Sequence, residues 1–367
     1  MRLGFLTHLH LGADPADTYR IALDLFQAAE EIGYDSGWVA QHHFLNNDAR
    51  LPSTLAFLAA AAQRTTRINL GTAIIILPLE DPLRVAEDAA VVDILSGGRL
   101  QLGLGTGGDP LSFAAFGQDV NARRQRFADG VKVIQDALAG RPVNGTSAVL
   151  YPPNPQLNAR VWESTLSPEG GARIGKNGNG LLLARTAFLS DEPTDVNQLP
   201  VTRAYLDAFP FPHAVGAEAD VSGSPPSAPV GAQFIAPAGG GASPRIGVSR
   251  AVYAADDRRT AIAHLEGGVS QYVDTMIERG HFPRGLTQEQ YFTRTHIHYG
   301  HPEEVVASLQ ADRLLPYATD LIVQAHPGYP TPAQFIRALE RIANEVAPAL
   351  GWKPAHPTPS HSGRGLG

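Results

Sequence analysis

Strand-like and helix-like patterns alternate along this chain almost without a break, and that alternation limits its possible folds more than any other feature. Arg2–Thr7 reads as a buried strand. Asp14-Pro15 then opens a helix on which Ile21, Leu25, Ala28 and Ile32 recur at helical spacing, up to a stop at Gly33. Asp35–Val39 is the next strand, and a helix starts at Pro52 and runs through Leu55, Leu58 and Ala62. The Ile-rich run Arg67–Leu77 is a third strand. A helix follows from Asp81-Pro82, with Val85, Ala89, Val92 and Leu95 on one face, and ends at Gly97-Gly98. Strands then fall at Leu100–Leu104, Val161–Glu163, Gly180–Ala184, Arg245–Tyr253 and Asp320–Gln324. Helices are read at Asn121–Leu138, after Pro168, and at Val201–Phe209, Asp256–Arg279, Glu303–Gln310 and Pro332–Val346. Alternation of this kind argues for parallel strands joined by helical crossovers. Eight strand–helix units favour an α/β fold of the closed (β/α)8 TIM-barrel type over an open sheet.

With 367 residues, 43% of them hydrophobic, the chain can bury one large core. A single barrel domain is expected over residues 1–352, with long inserted loops at the C-terminal face. Residues 211–244, rich in Pro, Gly, Ala and Ser, read as a long mobile loop, and residues 283–301 read as a second. Loops of this kind can act as lids. The Pro- and Gly-rich residues 353–367 read as a disordered tail.

Composition excludes several classes of function. Net charge is −7 with no basic block, which argues against a nucleic-acid partner. The absence of cysteine removes disulfides, thiolate metal sites and a cysteine nucleophile, and fits a cytoplasmic protein. Met1-Arg2-Leu3-Gly4 turns polar too early for a signal peptide, and no apolar run is long enough to span a membrane.

In barrels of this type the active site lies at the C-terminal ends of the strands. Those ends carry His8 and His10, His42 and His43, Ala73-Ile74, Gly105-Thr106-Gly107-Gly108, Glu163-Ser164-Thr165, Arg185-Thr186, and His326. Imidazoles exchange protons near neutral pH, so the His42-His43 pair is a candidate acid/base site. His8-x-His10 is open to a second reading as part of a zinc site, but the later strand ends lack the further His and Asp ligands that such a site needs. Glu163-Ser164-Thr165-Leu166-Ser167 leads into a helix, where hydroxyls and free N–H groups suit a phosphate; Ser167 also reads as a plain helix cap before Pro168. Gly103-x-Gly105-x-x-Gly108 matches a dinucleotide fingerprint in spacing. Asp109-Pro110 interrupts it, and Phe113, Phe116 and Gly117 read as loop. Arg123-Arg124-x-Arg126 sits at a helix start and reads as a solvated face, or as facing a phosphate or a partner subunit.

Some stretches are more specific. They are Gly71-Thr72-Ala73-Ile74-Ile75-Ile76-Leu77-Pro78, Asp81-Pro82, Ala86-Glu87-Asp88, Asp93-x-Leu95-Ser96-x-Gly98-Arg99, Trp38-x-x-Gln41-His42-His43-Phe44 and Tyr299-Gly300-His301-Pro302-Glu303-Glu304-Val305. With these the chain resembles the bacterial luciferase-like, flavin-dependent monooxygenases, over nearly all of residues 1–352 outside the two long loops. It looks most like a group of FMN-dependent members. The resemblance implies that reduced FMN, supplied by a separate flavin reductase, binds in the barrel mouth. Molecular oxygen then adds to it, and the flavin hydroperoxide oxygenates a small organic substrate. His42 matches the catalytic histidine of luciferases, while His8, His43 and Phe44 fall in the substrate pocket. The flavin would contact Ala73 and Ile74, joined by a cis peptide, together with Gly105 and Thr106. Its phosphate would meet Glu163, Ser164, Thr165 and Ser167. A homodimer is implied as well.

There are departures. Gln41 replaces the family's Glu beside the histidines, which should lower the basicity of His42. Thr106 stands where luciferases place a phosphate-binding arginine, and Arg185 is the candidate to take over that contact. Gly105 stands where luciferase has a reactive cysteine, so light emission is not implied. Two alternatives stay open: hydride transfer with a deazaflavin on the same fold, and flavin binding without catalysis.

Overall fold

The computed structural model describes residues 1–44, 50–187, 192–210 and 243–354. In chain order the elements are β1 (Arg2–Thr7), α1 (Pro15–Ile32), β2 (Ser36–Val39), α2 (Thr54–Arg64), β3 (Asn69–Thr72), β4 (Ile75–Ile76), α3 (Pro82–Leu95) and β5 (Leu100–Gly105). Next come α4 (Pro110–Ala115), α5 (Arg123–Leu138), β6 (Val161–Ser164), α6 (Pro168–Lys176), β7 (Gly180–Leu183) and α7 (Thr194–Ala208). The last are β8 (Ile246–Ala254), α8 (Arg258–Glu278), α9 (Gln288–Arg294), β9 (Ile297–Gly300), α10 (Pro302–Gln310), β10 (Asp320–Gln324) and α11 (Pro332–Arg341). Helix starts follow the sequence signals. Asp14, Asp81 and Ser167 each accept a backbone N–H from the first turn, with proline just inside the helix.

Every strand pairing is parallel, in the order β10-β1-β2-β3-β5-β6-β7-β8. Pairing of β10 with β8 closes the ring, with Leu321 opposite Val248. Broken β3/β4 counts as one stave, so the expected eight-stave TIM barrel is what forms. Its lower interior holds Trp38 and Trp162 edge to face, with ring centroids 5.7 Å apart. Two glycines make room for them. A Cβ on Gly71 would lie 2.1 Å from Trp38, and one on Gly180 would lie 2.3 Å from Trp162. Both indole N–H groups are satisfied, by Ser36 Oγ at 2.8 Å and Gln101 Oε1 at 2.9 Å. The two rings therefore fill this part of the barrel interior.

The structure corrects several expectations. The third strand, read as one run over Arg67–Leu77, is interrupted; the Ala73–Ile74 peptide at the break is cis, as the resemblance implied. α7 starts at Thr194 and carries Pro200 inside it, although proline normally marks a helix start. Residues 283–301 are not one long loop. They contain α9, opened by a Thr287/Gln290 capping box, and β9, which pairs outside the barrel with the upper half of β8. α9 buries Phe292 as its only fully covered side chain, too little for a helical stripe to show in sequence. Phe113 and its neighbours form α4, so the glycine run does lead into a helix, but one of six residues within a closed barrel. Of the 211–244 loop, residues 211–242 lie outside the described residues, as do residues 355–367 of the tail.

Candidate active site

Above the tryptophans the barrel opens into a cavity of about 290 Å³. Leu6, Leu182 and Ile322 make an apolar floor, and Ala73 and Ile74 form a wall. Ser164, Arg185 and Thr186 edge it where β6 and β7 end. His8, Ser249, Gln324 and His326 stand on the side of β1, β8 and β10. Among the described residues no carboxylate lines this space.

The histidine side is a directed chain of hydrogen bonds. Gln324 donates Nε2–H to Ser249 Oγ at 2.7 Å, so its Oε1 faces His8 Nε2 at 3.1 Å. A carbonyl oxygen only accepts, so His8 carries its proton on Nε2. Burial, then the nearby His42 and His10, hold the His8 pKa well below the ordinary imidazole range, so the ring is neutral. Its Nδ1 is then an acceptor for His42 Nε2–H at 3.4 Å. The chain thereby sets the tautomer of His42, leaving Nδ1 without a proton when that ring is neutral. Exchanging Gln324 for Glu places a carboxylate on His8 Nε2. The His8 ring resonances, followed by 15N NMR, should then titrate at higher pH than in the wild type. An unchanged titration would remove Gln324 from the chain.

His326 completes the cluster, its ring 4.8 Å from His8 and 5.7 Å from Tyr272. Its Nδ1 is buried with no hydrogen-bond partner, and burial, then His8 and Arg185, push its pKa well down. Among the described residues no group of three or more His, Cys, Asp or Glu side chains is arranged to hold a metal ion, and His10 stacks on Tyr329 at 4.7 Å.

The structure brings together only part of the expected site. His8, Ala73, Ile74, Ser164 and Arg185 line the cavity; His42 is joined to His8 by one hydrogen bond. His43 is buried against Phe116, ring centroids 4.8 Å apart, and its Nε2 has no hydrogen-bond partner. Phe44 is 57% exposed and packs on the same Phe116 at 5.9 Å. Gly105 admits Ile74, whose side chain a Cβ there would meet at 2.7 Å. Thr106 is half-buried beyond the strand end. Glu163, expected at the phosphate, faces outward. Its pleat partners Trp162 and Ser164 point into the barrel, so the period of two sends Glu163 to the helix side. There it pairs with Arg173 at 3.0 Å and accepts from Asn179 at 2.8 Å. Ser167 caps α6, accepting from Gly170 N–H at 3.2 Å, and Thr165 Oγ1 accepts from Ser167 N–H at 3.3 Å.

Gln41 makes a contact that the sequence did not show, holding an acid, Glu80, near His43. Gln41 Nε2 donates to Glu80 at 2.7 Å and to Pro52 O at 2.9 Å, and Oε1 accepts from Ile76 N–H at 2.6 Å. Glu80 raises the pKa of His43, but burial outweighs it and the net shift is downward. Gln324, Ser249 and Tyr272 are site residues that the sequence reading missed. The first two lie inside strands rather than past their ends, and inward pleat position was the signal that would have found them.

An apolar floor with one polar edge and a buried imidazole nitrogen left open suits a planar ring carrying a polar chain, so the residues present fit a flavin. Comparison with known proteins agrees. The 4-hydroxyprotoasukamycin monooxygenase of Streptomyces nodosus subsp. asukaensis is 39% identical over 137 residues, 37% of each chain. The oxygenase component of the flavin-dependent trigonelline monooxygenase of Acinetobacter baylyi is 25% identical over 190 residues, 48% of this chain and 52% of that one. The chain thus spans about half or less of the length of these relatives. The coenzyme F420-dependent tetrahydromethanopterin reductase of Methanopyrus kandleri shares the fold, with a TM-score of 0.64 at 19% identity over 95% of this chain and 99% of that one. The family model described as luciferase-like monooxygenase matches residues 1–192, and the chain belongs to that family.

Proposed function

We propose that this chain is the oxygenase component of a two-component monooxygenase, which takes reduced FMN from a separate reductase and oxygenates a small organic substrate. The cavity carries this reading: an apolar floor and the Ala73–Ile74 wall for a ring, edged by Ser164, Thr186 and Arg185. Residues of that wall and floor would hold the flavin ring, and Ser164 with the Thr165–Ser167 turn its phosphate end. Bound there, reduced FMN would supply the electrons for transferring one atom of O2 to the substrate, the other leaving as water. The protein's own part is positional and protic. The apolar floor disfavours water, and the His42–His8–Gln324 chain holds a proton in a fixed place beside the cavity. The relative described as an oxygenase component supports a reductase partner. The outer face of α3, with Val91, Ile94 and Leu95 exposed, supports a homodimer. Among the described residues no helix is long and apolar enough to cross a membrane.

A second reading, hydride transfer with a deazaflavin, is favoured by the F420-dependent structure of the same fold. Anaerobic titration separates the two. Reduced FMN should bind, and admitting oxygen with a flavin reductase should couple O2 consumption to a gain of one oxygen atom in a screened substrate. Binding of F420 in preference to FMN, with no oxygen consumed, would establish the second reading instead.

A further inference from the structure

Arg185 is a buried charged group with no carboxylate partner among the described residues. It follows β7, is 8% exposed and lines the cavity. Its Nη1 donates to the carbonyl of Thr295 at 3.0 Å, and its guanidinium lies over the Tyr272 ring at 5.1 Å. No carboxylate pairs with it among the described residues, and none lines the cavity. Another buried arginine of the barrel wall, Arg250, shows the contrast: it has Asp312 at 2.5 Å. The imidazoles around Arg185 feel its field, since His8, His326 and His296 are all held low partly by that charge. A buried charge without a partner is costly to a fold, so its retention beside an open cavity calls for an anion from outside.

We propose that Arg185 is the anchor for a planar monoanion carried by the ligand, held edge-on by the guanidinium fork beside His326. With the neighbouring imidazoles neutral, the site offers a single positive charge, which one negative charge balances. One donor is spent on Thr295 and one face on Tyr272, which leaves in-plane N–H groups for a two-oxygen or N–C–O edge. His326 Nδ1, buried and unpaired, is the second polar group on that side. Two ligands share the required chemistry. One is a substrate carboxylate, and the other is the pyrimidine edge of a reduced flavin, which spreads its negative charge over N1 and the C2 oxygen. The inference deepens the flavin reading, but its carboxylate arm does not depend on it.

The test is binding to the purified full chain, without turnover. Benzoate and benzamide are compared by calorimetry and thermal shift. Oxidised FMN, reduced FMN and reduced riboflavin are compared anaerobically. Arg185→Gln is expected to lose at least about tenfold in affinity for the anionic member of one pair, and to keep its affinity for the neutral member. Loss for benzoate alone assigns the substrate carboxylate, and loss for reduced but not oxidised FMN assigns the flavin edge. Arg185→Lys keeps the charge without the fork and should fall between wild type and glutamine. It serves as the decisive variant if the glutamine protein does not fold. Equal losses for charged and neutral ligands, no loss for any, or a loss for FMN of both redox states but not for riboflavin would overturn the proposal. So would a wild type that binds neither benzoate nor reduced FMN. Failure to consume oxygen would count against the monooxygenase reading and leave the benzoate result standing.

Discussion

Replacing His42 by alanine is expected to lower the rate of substrate oxygenation by about two to four orders of magnitude, the usual worth of a positioned proton-transfer group. Affinity for reduced FMN should stay within about threefold of wild type, because an interaction used only in the chemical step does not contribute to ligand binding. The geometry makes this separation sharp. His42 is joined to the cavity-lining His8, whose Nδ1 is 3.4 Å from His42 Nε2. Removing it leaves the floor, the Ala73–Ile74 wall and the Ser164 edge in place. His8→Ala is a different experiment. It opens the cavity lining and unpairs Gln324, so binding and turnover should both suffer. Stopped-flow measurement of the oxidative half-reaction, with flavin affinity measured separately, resolves the two. Unchanged turnover in His42→Ala would remove His42 from the chemistry and leave His8 and His326 as the imidazoles to consider.

What was legible in the sequence follows from periodicity. The staves and most helices were readable because buried parallel strands are short apolar runs bounded by clear stops, as at Gly33 and Gly97-Gly98. The site was readable to the extent that it sits just past strand ends, as His8 and Arg185 do. Glu163 illustrates the limit. Grouping Glu-Ser-Thr by adjacency put it at a phosphate, whereas alternation about Trp162 places it on the outer face, paired with Arg173. Gln324 and Ser249 were hidden for the converse reason. Polar residues within a strand look like imperfections in an apolar run until closure of the barrel brings β8 beside β10 and joins the two side chains at 2.7 Å. The contact of Gln41 with Glu80 was not visible in the sequence because the two are 39 residues apart. No local pattern encodes such a contact; only the fold creates it.

The largest stability effect is expected away from the cavity, where β8 meets α10. Arg250 and Asp312 are buried, with Nε 2.5 Å from Oδ2, and Asp312 also accepts from Leu314 N–H at 2.8 Å. Asp312→Ala leaves the Arg250 guanidinium buried with only the Ser249 carbonyl, and should cost about 3–5 kcal/mol. Two titrations then shape the pH dependence. Burial works against ionisation of Asp312, but Arg250 outweighs it and the pKa is held below the ordinary carboxylate range. A folded pKa below the unfolded one stabilises the fold above the unfolded value, about 3.9, and that stability is lost as pH falls through the folded value. His298, bonded to Ser308 Oγ at 2.8 Å, is pushed down to about 4, by burial first and then by Arg250. Its sign runs the other way in mechanism but not in direction. Below about pH 6.5 the unfolded chain takes up a proton that the folded one refuses, so stability declines on acidification from 6.5 towards 4. Urea unfolding from pH 4 to 8 should therefore show a wild-type slope that begins well above the carboxylate range. His298→Gln should flatten that slope while keeping the stability at pH 7 within about 1 kcal/mol. A slope unaffected by His298→Gln would place the acid sensitivity in the cavity histidines His8 and His326 instead.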